Sequence, residues 1–163
     1  MNVRCDPVLV IEDDENDRLL IARAFSKAKF ANPLYFVGDG EEALRYLHGS
    51  QPYENRELPG IILLDLRLPK RSGLDVLAWL RAQPGLRHIP VVVLTSSQDS
   101  GDMTRAYDLG VNSYLVKPVE FGELQNMTRL LGVYWLALNQ APGAGDSRGM
   151  SGKCGHDSGT PGR

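Results

Sequence analysis

Cysteine is scarce in this chain of 163 residues: Cys5 and Cys154 are its only two, far apart and without CxxC spacing. That excludes a local disulfide framework and a cysteine-built metal site, and two reduced thiols in a cytosolic protein are expected. Long hydrophobic runs are missing as well, and none approaches the roughly 20 apolar residues of a spanning helix. Met1 to Pro7 contains Arg4 and Asp6 but no apolar stretch, so nothing there reads as a secretory signal. Charge of one sign is not in excess either. A net charge of -2 and a pI near 5.9 leave no long-range field to draw the chain onto nucleic acid or an anionic membrane. The expectation is a cytoplasmic protein of one ordinary domain with a protein partner, long enough to bury a core without staples.

What is present is a regular alternation. Five short apolar runs occur: VLVIE (Val8 to Glu12), LYFV (Leu34 to Val37), IILLD (Ile61 to Asp65), VVVLT (Val91 to Thr95) and SYLVK (Ser113 to Lys117). Short, continuously apolar runs are how strands of a parallel sheet read when both faces are covered. Between them lie segments with helical spacing: Leu19, Leu20, Arg23 and Ala24; Ala43, Leu44 and Leu47; Val76, Leu77 and Leu80. A weakly apolar fourth helix is expected over roughly Ser100 to Leu109, stopped by Gly110, and few apolar anchors make it a candidate moving part. Strand–helix alternation implies right-handed crossovers and an α/β fold, a five-stranded doubly wound parallel sheet with five helices. Gly49 to Gly60 reads as an unusually long loop. The last helix is expected from Glu120 to about Asn139, and the domain over 1–139. The Gly-, Ser- and Pro-rich stretch 140–163 is expected to be a flexible tail.

In an open parallel sheet, functional groups gather beyond the carboxyl ends of the strands. Those ends carry Glu12, Asp13 and Asp14, then Asp65, Thr95 and Lys117. Two like charges about 4 Å apart repel by roughly 4 kcal/mol at an effective dielectric of about 20, so such a cluster needs a cation or a proton. All-oxygen ligands suit Mg²⁺, with Mn²⁺ as a substitute, and disfavour zinc. Lys117 and Thr95 add a fixed positive charge and a hydroxyl donor, so the set matches phosphoryl transfer to a carboxylate, giving an aspartyl phosphate on Asp65. Each residue also has a plainer reading: Asp13 or Asp14 as a helix cap, Thr95 to Ser97 as a polar loop, Lys117-Pro118 as a strand end and turn.

From Pro7 to Leu138 the chain resembles the receiver domains of two-component response regulators. Four motifs carry the likeness: VIEDD (Val10 to Asp14), LLDLRLPKRSG (Leu63 to Gly73), VVLTSS (Val92 to Ser97) and YLVKP (Tyr114 to Pro118). The resemblance implies a flavodoxin-like fold, with Glu12 and Asp13 as the acidic pair and Asp65 as phosphoacceptor. Thr95 becomes the switch hydroxyl, Lys117 the family's lysine and Tyr114 the switch aromatic. It adds the backbone carbonyl of Arg67 as a metal ligand, a cis Lys117-Pro118 peptide, and Arg67 and Ser97 as modulatory positions. Arg67 departs from the smaller group common there, which implies an altered dephosphorylation rate. HGSQPYENRELPGIILLDL (His48 to Leu66), LPKRSG, RHIPVVVLTSS (Arg87 to Ser97) and VYWLAL (Val133 to Leu138) are similar to the small single-domain regulators that accompany phytochrome-type histidine kinases. Such a kinase is the implied phosphoryl donor, through a phosphohistidine.

Signalling is expected through the surface of the fourth helix, fifth strand and fifth helix. The apolar cluster with Tyr134 and Trp135 is expected at a homodimer contact, with docking onto the domain's own sheet as the alternative. Other functions remain in view: a phosphate-independent adaptor, or an intermediate passing phosphate to a histidine phosphotransfer protein. An enzyme, a phosphatase or phosphotransferase that also forms an aspartyl phosphate on a doubly wound sheet, is disfavoured because such enzymes commonly place a second Asp two residues after the nucleophile, where Arg67 stands. A DNA-binding regulator is disfavoured because the residues after Leu138 are too few for an output domain. The expectation is a signalling protein, not an enzyme, although one that catalyses its own phosphorylation and dephosphorylation.

Overall fold

A computed structural model describes residues 5–140. Its strands are β1 (Val8–Ile11), β2 (Leu34–Val37), β3 (Ile61–Leu64), β4 (Val91–Thr95) and β5 (Ser113–Val116). Its helices are α1 (Glu15–Lys27), α2 (Gly40–His48), α3 (Gly73–Ala82), α4 (Ser100–Asp108) and α5 (Phe121–Gly132), in strict alternation with the strands. All five strands are parallel, in the order β2-β1-β3-β4-β5. The chain therefore leaves β1 toward one edge and β3 toward the other, and the crevice between their carboxyl ends is the topological switch point.

Strand residues alternate between two cores, which is why the strands carry no polar face. Leu9, Ile11, Ile62, Leu64, Val91 and Val93 bury against α2 and α3. Val8, Val10, Ile61, Leu63, Val92 and Leu94 bury against α1 and α5 on the other face. Helix starts are fixed locally: Asp14, Asp39, Ser72 and Asp99 each accept from a backbone N–H of the first turn, and Ser72 with Asp75 forms a capping box.

Several expectations are corrected. In α1 the buried stripe is Ile21, Ala24 and Phe25, while Leu19 is exposed, because the helix turns one position away from the face its apolar pair suggested. The last helix is α-helical only to Gly132, after which Val133–Leu138 continue as a wider π-type turn closed by the Asn139 N–H on the Tyr134 carbonyl at 2.7 Å. The cis peptide among the described residues is Gln51-Pro52, not Lys117-Pro118; an X–Pro bond intrinsically favours trans by about 0.5–1 kcal/mol. Cys5 is disulfide-bonded, not a reduced thiol; a single cysteine without CxxC spacing carries no sign of its pairing in the sequence. Cys154 and residues 141–163 of the expected tail lie outside the described residues.

The loop between α2 and β3 is tied down. Gly49 caps α2 at φ 80°, a left-handed conformation that favours glycine. Arg56 donates to the Tyr46 carbonyl (2.8 Å) and the Leu47 carbonyl (2.9 Å), and the Tyr46 hydroxyl donates to the Glu57 carbonyl (3.0 Å).

Candidate functional site: an acidic pocket at the switch point

The carboxyl ends of β1 and β3 bring Glu12, Asp13 and Asp65 together, with one carboxylate oxygen from each within 4.8 Å of the others. Glu12 and Asp65 are buried, and Asp13 is exposed at the rim. Register explains this: Ile11 pairs with Leu64, and the Asp65 N–H bonds the Ile11 carbonyl at 3.0 Å. The next residue of each strand must then sit side by side. Gly73 lets α3 begin against this strand end, because a Cβ there would lie 2.2 Å from the Asp65 carbonyl oxygen.

Lys117 enters from the end of β5, held by its N–H on the Thr95 carbonyl at 2.8 Å. Its ammonium donates to Glu12 at 2.6 Å, Asp17 at 2.8 Å and Asp65 at 3.1 Å. Burial alone would lower its pKa, but the bonds to Asp17 and Glu12 and the field of Asp65 outweigh that and hold it charged. One ammonium does not balance several carboxylates. The remaining strain falls on Glu12, whose carboxyl is pushed up to about 7, first by burial and then by the Asp65 charge, against the opposing pull of Lys117. The pocket therefore suits a proton or a divalent cation, and its all-oxygen donors fit a hard one.

Thr95 is fully buried at the end of β4, its Oγ1 accepting from the Ser97 N–H at 3.3 Å. The Ser97 hydroxyl donates to Asp102 in the first turn of α4 at 2.9 Å, and the Tyr114 hydroxyl donates to the Ser97 carbonyl at 3.2 Å. Tyr114 is half-buried against the α2/α3-side core. Arg67 donates its N–H to Asp65 Oδ1 at 3.3 Å, while its exposed guanidinium crosses to Asp102 at 3.7 Å. Asp14 lies outside the cluster as the α1 cap, its Oδ1 accepting from the Asp17 N–H at 2.9 Å. Tyr134 and Trp135 lie away from the pocket on the last helix, ring edge to face at 4.9 Å.

Two residues of this network were not visible as site residues in the sequence. Asp17 lies in the first turn of α1, three positions after the Asp14 cap, where an acidic residue reads as ordinary helix-start chemistry. Asp102, in the first turn of α4, reads the same way.

A five-stranded parallel α/β sheet with an acidic pocket and a lysine at its switch point defines a receiver-type fold. Residues 8–129 match the response regulator receiver domain family, and the chain belongs to it. It is 43% identical over 136 residues to the probable methanogenesis regulatory protein FilR2 of Methanothrix harundinacea, covering 83% of this chain and 87% of that protein. The fold is similar to the crystal structure of the phosphorylated cyanobacterial phytochrome response regulator RcpA, with a TM-score of 0.81, 36% identity and coverage of 84% of this chain and 98% of the other. It is also similar to the bacteriophytochrome response regulator RtBRR, with a TM-score of 0.68, 45% identity and 85% coverage of each chain. The chain is thus a receiver domain related to the phytochrome response regulators.

Proposed function

We propose that Asp65 accepts a phosphoryl group from the phosphohistidine of a sensor kinase of the phytochrome type, and that the chain signals by the resulting change of surface. The observation that carries this is the convergence of Asp65, Glu12, Asp13 and Lys117 on one pocket from three separate strand ends, with Thr95 ending the neighbouring strand β4. Glu12, Asp13, Asp65 and the Arg67 backbone carbonyl are the groups to hold Mg²⁺, or Mn²⁺ in its place. When bound, the ion supplies positive charge to the oxygens of the transferring group. Lys117 holds the Asp65 carboxylate in position through its 3.1 Å bond, and Thr95 offers a hydroxyl hydrogen bond to the new phosphoryl oxygens. The likeness to RcpA and RtBRR supports the phytochrome assignment.

The switch follows from competition for Thr95 and Ser97. In this structure Ser97 holds both the first turn of α4, through Asp102, and the Tyr114 hydroxyl. Drawing Thr95 toward a phosphoryl group displaces Ser97, two residues on, and loosens both contacts. Among the described residues of α4 only Ala106 is buried, so little apolar packing resists that movement.

A homodimer on α5 and the π-type turn completes the reading. An apolar groove lined by Ser113, Leu115, Met127, Leu130, Tyr134 and Trp135 runs beside the edge strand β5. Exposed Leu130, Tyr134 and Leu138 extend it along one helix face, which a second copy could meet with the same face. Trp135 is partly buried against the domain's own core, so Tyr134 is the more exposed contact.

Incubation with Mg²⁺ and a small phosphodonor tests the central claim. The expected label is acid-labile, cleaved by hydroxylamine and absent from Asp65→Asn; label that persists in the variant refutes it.

A further inference from the structure

An ammonium has three N–H donors, and in Lys117 all three are engaged: Glu12 at 2.6 Å, Asp17 at 2.8 Å and Asp65 at 3.1 Å. The three acceptors are not equivalent. The Glu12 and Asp65 side chains are 3% and 7% exposed, whereas that of Asp17 is 36% exposed. Asp17 comes from the first turn of α1 and not from a strand end, and it lies outside the Glu12, Asp13 and Asp65 trio suited to a metal. It therefore draws on the charge of Lys117 without contributing to that trio.

Resting on the phosphoacceptor reading above, we propose that Asp17 is a positioning residue that shares Lys117 with the acceptor and so limits how firmly the phosphoryl group is held. Phosphorylation moves negative charge from the Asp65 carboxylate onto the phosphoryl oxygens, and the Lys117 donor that served Asp65 follows it. Glu12 stays in the buried wall of the pocket. Asp17, at the solvent side, then competes with the phosphoryl oxygens for the same ammonium and adds a negative charge to a site that already has an excess. Removing that charge while leaving an amide of the same shape frees Lys117 for the phosphoryl group. The α1 cap is untouched, because it uses the Asp17 backbone N–H and not its side chain.

The experiment uses the full chain with saturating Mg²⁺ and fluoroberyllate as the phosphoryl mimic, followed by ¹⁹F NMR, together with decay of the phosphorylated protein. Asp17→Asn is expected to bind fluoroberyllate roughly three- to tenfold more tightly and to lose its phosphoryl group correspondingly more slowly. Asp17→Glu, which restores the charge, is expected to return both values toward wild type. Structural damage would move both quantities the other way, so a gain identifies competition for Lys117. Unchanged or weaker binding in Asp17→Asn, or a gain that Asp17→Glu shares, overturns the role of Asp17. If wild type fails to bind fluoroberyllate, or Asp65→Asn binds it equally, the phosphoacceptor reading falls with it.

Discussion

At Glu12 the charge excess of the pocket is answered by a proton. The folded pKa of Glu12, about 7, lies above the ordinary value of 4.5. Between those pH values the folded protein holds a proton that the unfolded chain releases. This contribution to stability is therefore complete below about 4.5 and is lost as pH rises through about 7. In metal-free protein, wild type is expected to lose on the order of 2 kcal/mol relative to Glu12→Gln between pH 4.5 and 7.5, measured by urea unfolding. Saturating Mg²⁺ should cancel most of that loss, because the ion takes the proton's place. Arg67 acts by position. Its N–H bonds Asp65 Oδ1 while its guanidinium reaches Asp102, so on the proposed function Arg67→Asn removes the cation two residues after Asp65 and leaves an amide able to orient a water. The phosphoryl lifetime is expected to shorten several-fold; an unaltered decay rate sinks this reading.

Among the elements, the loop over residues 49–60 and α4 differ most in how they are held. The loop is anchored by Arg56 on the Leu47 carbonyl and on the Tyr46 carbonyl at the end of α2, the latter also accepting from the Gly49 N–H at 3.2 Å. Arg56→Ala is expected to cost about 2 kcal/mol in chemical denaturation while leaving phosphorylation of Asp65 unchanged. The sequence marked this loop by its turn formers but not its anchors, because an arginine nine or ten residues from its acceptors has no periodic signature. In α4 the reverse holds. Its weak apolar character was legible in the residues, and the single buried Ala106 agrees with it. The tie from Asp102 to Ser97 and Arg67, which restrains that helix, appears only when three chain segments meet.

At the scale of the whole molecule, the proposed dimer contact lies on the last helix and its final turn. That wide turn sends Trp135 and Leu136 back to the core and leaves Tyr134 and Leu138 outward. Tyr134→Glu is expected to halve the sedimenting mass of a dimeric protein without lowering its thermal stability, whereas Trp135→Glu should impair both. An identical mass for wild type and Tyr134→Glu excludes this contact. The sequence by itself determined the alternation of five apolar runs with helical spacing, and hence a doubly wound sheet, because burial on both faces demands continuously apolar strands. It also determined which residues end the strands, and so Glu12, Asp13, Asp65 and Lys117 as members of the pocket. Only the tertiary structure decided that Asp14 caps a helix while Asp17 reaches Lys117, and that Leu19 faces outward. Only it showed Asp102 joined to both Arg67 and Ser97. These depend on helix rotation and on contacts between distant segments, and a linear pattern of residue types does not encode either at the precision of a hydrogen bond.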